Sequence, residues 1–113
     1  MLIIKTIPDI TVPVDIQVPG EAEPSRIQAT WKLYDYDEAQ ARIDKINAQK
    51  LDDAQLVADD LRGLSELFDE QGQPVAFTPE LAQQLLKKTY VRIPLVRSWF
   101  FAQNCRTEAA AKN

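Results

Sequence analysis

Apolar and polar residues alternate over nine positions near the start of the chain, and this alternation is the strongest constraint on its fold. The apolar positions are Ile10, Val12, Val14, Ile16 and Val18. Successive side chains of a strand point to opposite faces, so a period of two predicts a strand with one buried face. Pro13 in its middle has no backbone N–H to donate, which predicts an edge strand.

A second alternating run follows after the loop GEAEPS. Its apolar positions are Ile27, Ala29, Trp31 and Leu33. Together the two runs predict an antiparallel β-hairpin with a long connection, within residues 2–34. The apolar segment 2–7 is a candidate third strand or an extension of the first.

Helical patterns fill the region 35–106. Asp35 or Asp37 is a candidate N-cap for a first helix, because a short carboxylate accepts from the free amides of the first turn. Asp52 or Asp53 repeats this signal for a second helix. The first apolar stripe is Ala39, Ile43 and Ile46, and the second is Ala54, Val57, Leu61, Leu64 and Phe68. These spacings of three and four predict surface helices, the second with a bend or a close contact at Gly63.

The stretch DEQGQPVAFTPE predicts a reversal between helices. Gly72 would end the second helix in the left-handed conformation. The run 74–77 is expected to be extended and to anchor Phe77 in the core, since proline disfavours helix for the residue before it. Thr78 and Pro79 are the expected N-cap and first residue of a third helix.

The last helix is expected to begin at Val91 or Pro94, with Pro94 in its first turn, and to run through Cys105. Residues 107–113 are a candidate frayed tail. The predicted fold is therefore a single α+β domain, 1–113, with an antiparallel hairpin of two to three strands packed on about four helices. Leu81, Leu85 and Leu86 are expected to face the core from the third helix.

The composition argues against catalysis and against several classes of partner. The chain has no His, one Cys and no glycine-rich phosphate loop, so we expect no catalytic, cofactor or metal site. Asp52-Asp53 and Asp59-Asp60 are interpreted as solvated helix charge, and Cys105 as a structural thiol. A net charge of −4 disfavours nucleic acid as the main partner. No apolar run is long enough to span a membrane, and no signal peptide is evident, which predicts an intracellular protein.

Charge is divided unevenly along the chain. Residues 1–80 hold 7 Lys and Arg against 16 Asp and Glu, whereas residues 81–113 hold 6 against one, Glu108. Two hypotheses follow. The basic segment of one copy meets the acidic body of the next in a head-to-tail array, or the charges neutralise each other within one monomer.

The triplet Trp99-Phe100-Phe101 also leaves two hypotheses open. Successive side chains diverge around a helix, so three consecutive aromatic residues cannot all face one core. Either other elements surround this helix, or at least one of the rings meets a partner.

The order of these features resembles that of the tail assembly chaperones of long-tailed bacteriophages and prophages. The resemblance extends from Ile10 over nearly the whole chain. It rests on the hairpin opening ITVPVDIQVPG, the strand and helix start RIQATWKLYDYDEAQ, the stretch LRGLSELFDEQGQPVAFTPELAQQLL and the aromatic last helix. Its most specific part, DEQGQPVAFTPE, is similar to the family pattern acidic-Gly-x-Pro-Val-x-Phe-[Ser/Thr]-x-Glu.

The resemblance implies a non-enzymatic function. Such chaperones coat the tape measure protein, recruit the major tail protein and self-associate, and they work in the host bacterial cytoplasm and are absent from the mature virion. The partner-binding residues expected from this resemblance and from the patterns above are Trp99, Phe100, Phe101, Arg92 and Arg97. The alternative function is that of a small structural tail-completion or head-tail joining protein.

Overall fold

The computed structural model describes residues 1–104, which form an α+β fold with a three-stranded antiparallel sheet and four helices. The elements in chain order are β1 (Asp9–Ile16), β2 (Ser25–Lys32), α1 (Tyr36–Asn47), α2 (Asp53–Asp60), β3 (Leu61–Ser65), α3 (Pro79–Leu85) and α4 (Thr89–Gln103). This confirms the predicted fold class. The predictions for Cys105 and for the tail 107–113 lie outside these residues.

The hairpin forms as predicted, and β1 is an edge strand of the sheet, whose order is β1-β2-β3. Val12 lies opposite Ala29, and Val14 lies opposite Ile27. All four are buried on the face that α4 covers. Pro13 therefore lies in a strand with only one hydrogen-bonded neighbour, where its missing N–H does not break a ladder.

The third strand of the sheet is not the predicted one. Residues 2–7 form no strand, and the predicted second helix ends at Asp60, where the chain becomes extended and pairs with β2. Trp31 lies opposite Leu61 but Thr30 lies opposite Gly63, so β3 carries a bulge at Arg62. The extra residue puts Leu61 and Leu64 on the buried face although they are three positions apart. A bulged strand thus imitates the spacing of a helix.

The segment after β3 is a turn and not a helix cap. Gly72 has φ +79°, so the left-handed conformation is confirmed, but Phe68 and Pro74 bridge on either side of a loop. The Asp69 carboxylate accepts from the backbone N–H groups of Gln71 and Gln73, both at 2.9 Å. The loop then returns the chain towards α3.

Two predicted side-chain caps are confirmed, and the predicted start of the last helix is wrong. The Asp52 carboxylate accepts from the Gln55 amide at 2.8 Å, and the Thr78 hydroxyl accepts from the Leu81 amide at 3.0 Å. Pro94, however, is the sixth residue of α4 and not part of its first turn, because the helix begins at Thr89. The half-buried Phe77 and Leu85 and the buried Leu86 pack in the core, as expected, whereas Leu81 is half-buried outside the core cluster.

Candidate functional site

The aromatic triplet lies mostly inside the chain. Trp99 is 0% exposed and Phe101 is buried, whereas Phe100 is half-buried and packs edge-on against Trp99 with ring centroids 5.0 Å apart. The sheet covers one side of α4, and the end of α2 reaches another. Trp99 and Phe101 are therefore core residues, and the hypothesis of a partner-facing ring now concerns Phe100 alone.

A buried carboxylate ties the strands and helices together around Trp99. Asp60 is 0% exposed and accepts hydrogen bonds from the Tyr34 hydroxyl at 2.6 Å, Arg42 Nε at 3.0 Å and Trp99 Nε1 at 2.9 Å. The interpretation of Asp60 as a solvated helix charge was wrong. Asp60 is the last residue of α2, where its charge opposes the helix dipole, and the three donors offset this cost.

The same carboxylate alters the chemistry of Tyr34. The pKa of Tyr34 is raised from 10.0 to about 12. Burial of the phenol is the main cause, and its hydrogen bond to Asp60 is the second. The ring also lies under two cations, with Lys32 Nζ 4.6 Å and Arg42 Cζ 5.2 Å from its centroid. These contacts belong to the framework of the fold, and nothing in the sequence pattern distinguished Asp60 from Asp59.

Arg92 is engaged within its own chain. Its Nε donates to the Leu86 carbonyl at 2.7 Å, and its Nη1 lies 3.3 Å from the Asp53 carboxylate. The ion pair supports internal neutralisation for this residue and joins the start of α4 to the start of α2. The head-to-tail hypothesis remains a prediction for the exposed Lys87 and Lys88.

Arg97 lies at a different place, in a groove between the end of β1 and the first half of α4. This α4 groove has a volume of about 480 Å³ and is lined by Asp15, Gln17, Pro19, Thr89, Tyr90, Ile93, Pro94 and Arg97. Its lining is mostly apolar, and Ile93 in this lining is 52% exposed. Tyr90 and Pro94 line the same groove as this exposed aliphatic side chain. Together they offer a docking surface for apolar side chains.

A second apolar feature is the N-terminal arm, residues 1–8. Its apolar side chains are exposed, namely Met1, Leu2, Ile3, Ile4 and Ile7, with Ile4 at 92%. The arm is fixed to the fold at its end, where the Leu33 amide donates to the Pro8 carbonyl at 2.8 Å. The sequence singled out this segment only as a candidate strand, because an apolar run carries no sign of whether the fold will cover it.

Other kinds of site are absent from the part of the chain that the structure describes. Residues 1–104 contain no group of three or more Asp, Glu, His or Cys side chains arranged to hold a metal ion. Within the same range, no helix has the length and apolar character needed to cross a bilayer. The candidate functional site is a surface, the α4 groove together with the N-terminal arm.

Comparison with known proteins found no matching family model, no similar curated protein and no similar solved structure.

Proposed function

We propose that this chain is a tail assembly chaperone of a long-tailed phage or prophage. In this role it binds the tape measure protein in the host cytoplasm, helps to recruit the major tail protein, and leaves before the virion is complete. The proposal rests on the resemblance from Ile10 onwards, of which DEQGQPVAFTPE is the most specific part. It assigns no catalytic step to any residue.

The α4 groove is the structural observation that supports the proposal. A tape measure protein is a long helix whose apolar faces need cover until the tube encloses them. An amphipathic helix docks by placing apolar side chains at spacings of three and four into an apolar groove. Tyr90, Ile93 and Pro94 supply such a surface on a rigid helix, and Arg97 supplies a cation at its edge. We therefore assign tape measure binding to this groove, with Phe100 as a further candidate contact.

The test is a pull-down of tape measure fragments by the purified chain and by two matched variants. Ile93→Glu places a charge in the groove and is expected to abolish capture. Phe68→Glu also introduces a glutamate, at a residue that is 63% exposed and is not part of the groove lining, and it should leave capture unchanged. Equal capture by both variants would refute the assignment. Trp99→Ala is unsuitable here, because that side chain is buried.

The alternative function, a tail-completion or head-tail joining protein, makes the opposite prediction about the mature particle. Mass spectrometry of purified virions is expected to lack this polypeptide if it is a chaperone. Its stoichiometric presence in virions would favour the structural component instead.

A further inference from the structure

We infer that the N-terminal arm of one copy docks into the α4 groove of a second copy, so that two chains exchange arms about a two-fold axis. The inference is argued from two exposed apolar features of the described residues and not from the proposed function. Both proposals use the α4 groove, so the arm has to leave the groove before a tape measure helix binds there. Ile4 in the arm is 92% exposed, and Ile93 in the groove is 52% exposed.

Ile4, in the middle of the arm, cannot reach the groove of its own chain. Pro8 is held against Leu33 at the start of β1, whereas the groove begins at Asp15 near the end of that strand. A strand advances about 3.3 Å per residue, so these points are on the order of 23 Å apart. Ile4 lies at most about 14 Å from Pro8 along an extended chain. The apolar side chains nearest to Pro8 therefore need a groove on another molecule.

The edge position of β1 supplies the geometry for a second copy. If two β1 edges lie side by side and antiparallel, the start of each strand is next to the end of the other. Each arm then continues in line past its partner's Ile16 towards the partner's groove. Pro13 lies near the centre of this arrangement and cannot donate to a ladder there. The arms at the two ends would thus carry the contact, and a continuous six-stranded sheet is not required.

Charge and size both fit a second copy. The arm has one charged side chain, Lys5, and no acidic residue. The loop GEAEPS, which contains Glu21 and Glu23, contacts the groove lining, since Gln17 Nε2 donates to the Glu21 backbone carbonyl at 2.6 Å. Five apolar side chains bury roughly 500 Å² on the arm side. Counting both surfaces, a single arm reaches only about 1,000 Å², whereas a reciprocal pair reaches about 2,000 Å², the size of a stable dimer.

The experiment is sedimentation of the full chain and of two variants between about 1 and 100 μM. This range covers the dissociation constants of the weaker dimers with an interface of this area. The wild-type chain should be a dimer at the upper end. Ile4→Glu changes only the arm, and Ile93→Glu changes only the groove. Each should weaken dimerisation roughly 30-fold or more, because it buries a charge at the centre of the contact. Phe68→Glu is the control and should dimerise like the wild type.

Mixing the two variants gives the decisive result. A heterodimer of Ile4→Glu with Ile93→Glu has one intact arm and one intact groove facing each other. The mixture is therefore expected to recover dimers, weaker than those of the wild type but stronger than those of either variant alone. A monomeric wild type, a dimer that ignores both substitutions, or a mixture without recovery would each overturn the inference. Unchanged circular dichroism of both variants establishes that they are folded.

Discussion

Replacing Asp60 with alanine removes the acceptor shared by three donors that come from different parts of the chain. Tyr34 precedes α1, Arg42 lies within it, and Trp99 lies in α4. Trp99 has no access to water, and the Arg42 side chain is only 17% exposed. Breaking a buried ion pair by removing one partner costs about 3–5 kcal/mol. That is a large share of the total stability of a small domain, which is about 5–15 kcal/mol.

Asparagine at the same position separates the charge from the hydrogen bonds. Its carbonyl oxygen can accept from Trp99 and Arg42, and its amide can donate to the Tyr34 oxygen, so only the half-buried Tyr34 hydroxyl has to find a new acceptor. The remaining loss is the charge opposite Arg42, whose partial exposure lets water compensate. We expect Asp60→Asn to lower the free energy of unfolding by about 1–2 kcal/mol, clearly less than alanine does.

The assay is urea unfolding monitored by the fluorescence of the two buried tryptophans, Trp31 and Trp99. Asp59→Ala is the matched control, because Asp59 is the neighbouring carboxylate and its contact with Arg42, at 3.4 Å, is partly exposed. An exposed ion pair contributes at most about 1 kcal/mol. The reasoning fails if Asp60→Ala costs no more than Asp59→Ala, or if asparagine is as damaging as alanine.

Three further predictions follow from single contacts. The pKa of Tyr34 is raised to about 12, so the folded state holds the phenol proton more tightly than the unfolded chain does. The stability that the protonated phenol contributes is present below pH 10 and is lost as the pH rises to about 12. Tyr34→Phe should remove the part of the tyrosinate absorbance change that appears near pH 12. Gly63→Val should stabilise the chain more than Gly63→Ala does, by up to about 1 kcal/mol in thermal unfolding. A Cβ at this position lies 3.9 Å from the Thr30 Cβ, an ordinary contact, and a β-branched residue suits a strand. If residues 61–65 were helical, the order of the two variants would be reversed. Thr78→Ala should cost about 1 kcal/mol in urea unfolding through loss of the cap on α3, and a Thr78→Ser variant that fails to retain most of that stability would contradict the capping role.

The sequence predicted the elements whose signals are local. Strict alternation specified β1 and β2, and short polar side chains specified the caps at Asp52 and Thr78. The positive φ of Gly72 was also predictable, although it lies in a turn. In each case the information resides within a few neighbouring residues.

The candidate site was predictable only in part. Arg97 lines the α4 groove, whereas Trp99 is enclosed between the sheet and the end of α2, and Phe101 is buried. The groove itself was missed, because Asp15 and Ile93 are far apart in the sequence and only the packing of α4 on β1 brings their surroundings together. The partner-binding roles themselves remain predictions.

What the sequence by itself determined was the hairpin, the caps and the α+β class, since periodicity and capping chemistry act over a single turn or strand. What only the tertiary structure decided was the conformation of residues 61–65 and the burial of Asp60. Leu61 and Leu64 satisfy both a helix and a bulged strand, and pairing with β2 selects the strand. Asp59 and Asp60 are chemically identical neighbours, and only the direction in which α2 ends places one of them among three donors and leaves the other at the surface.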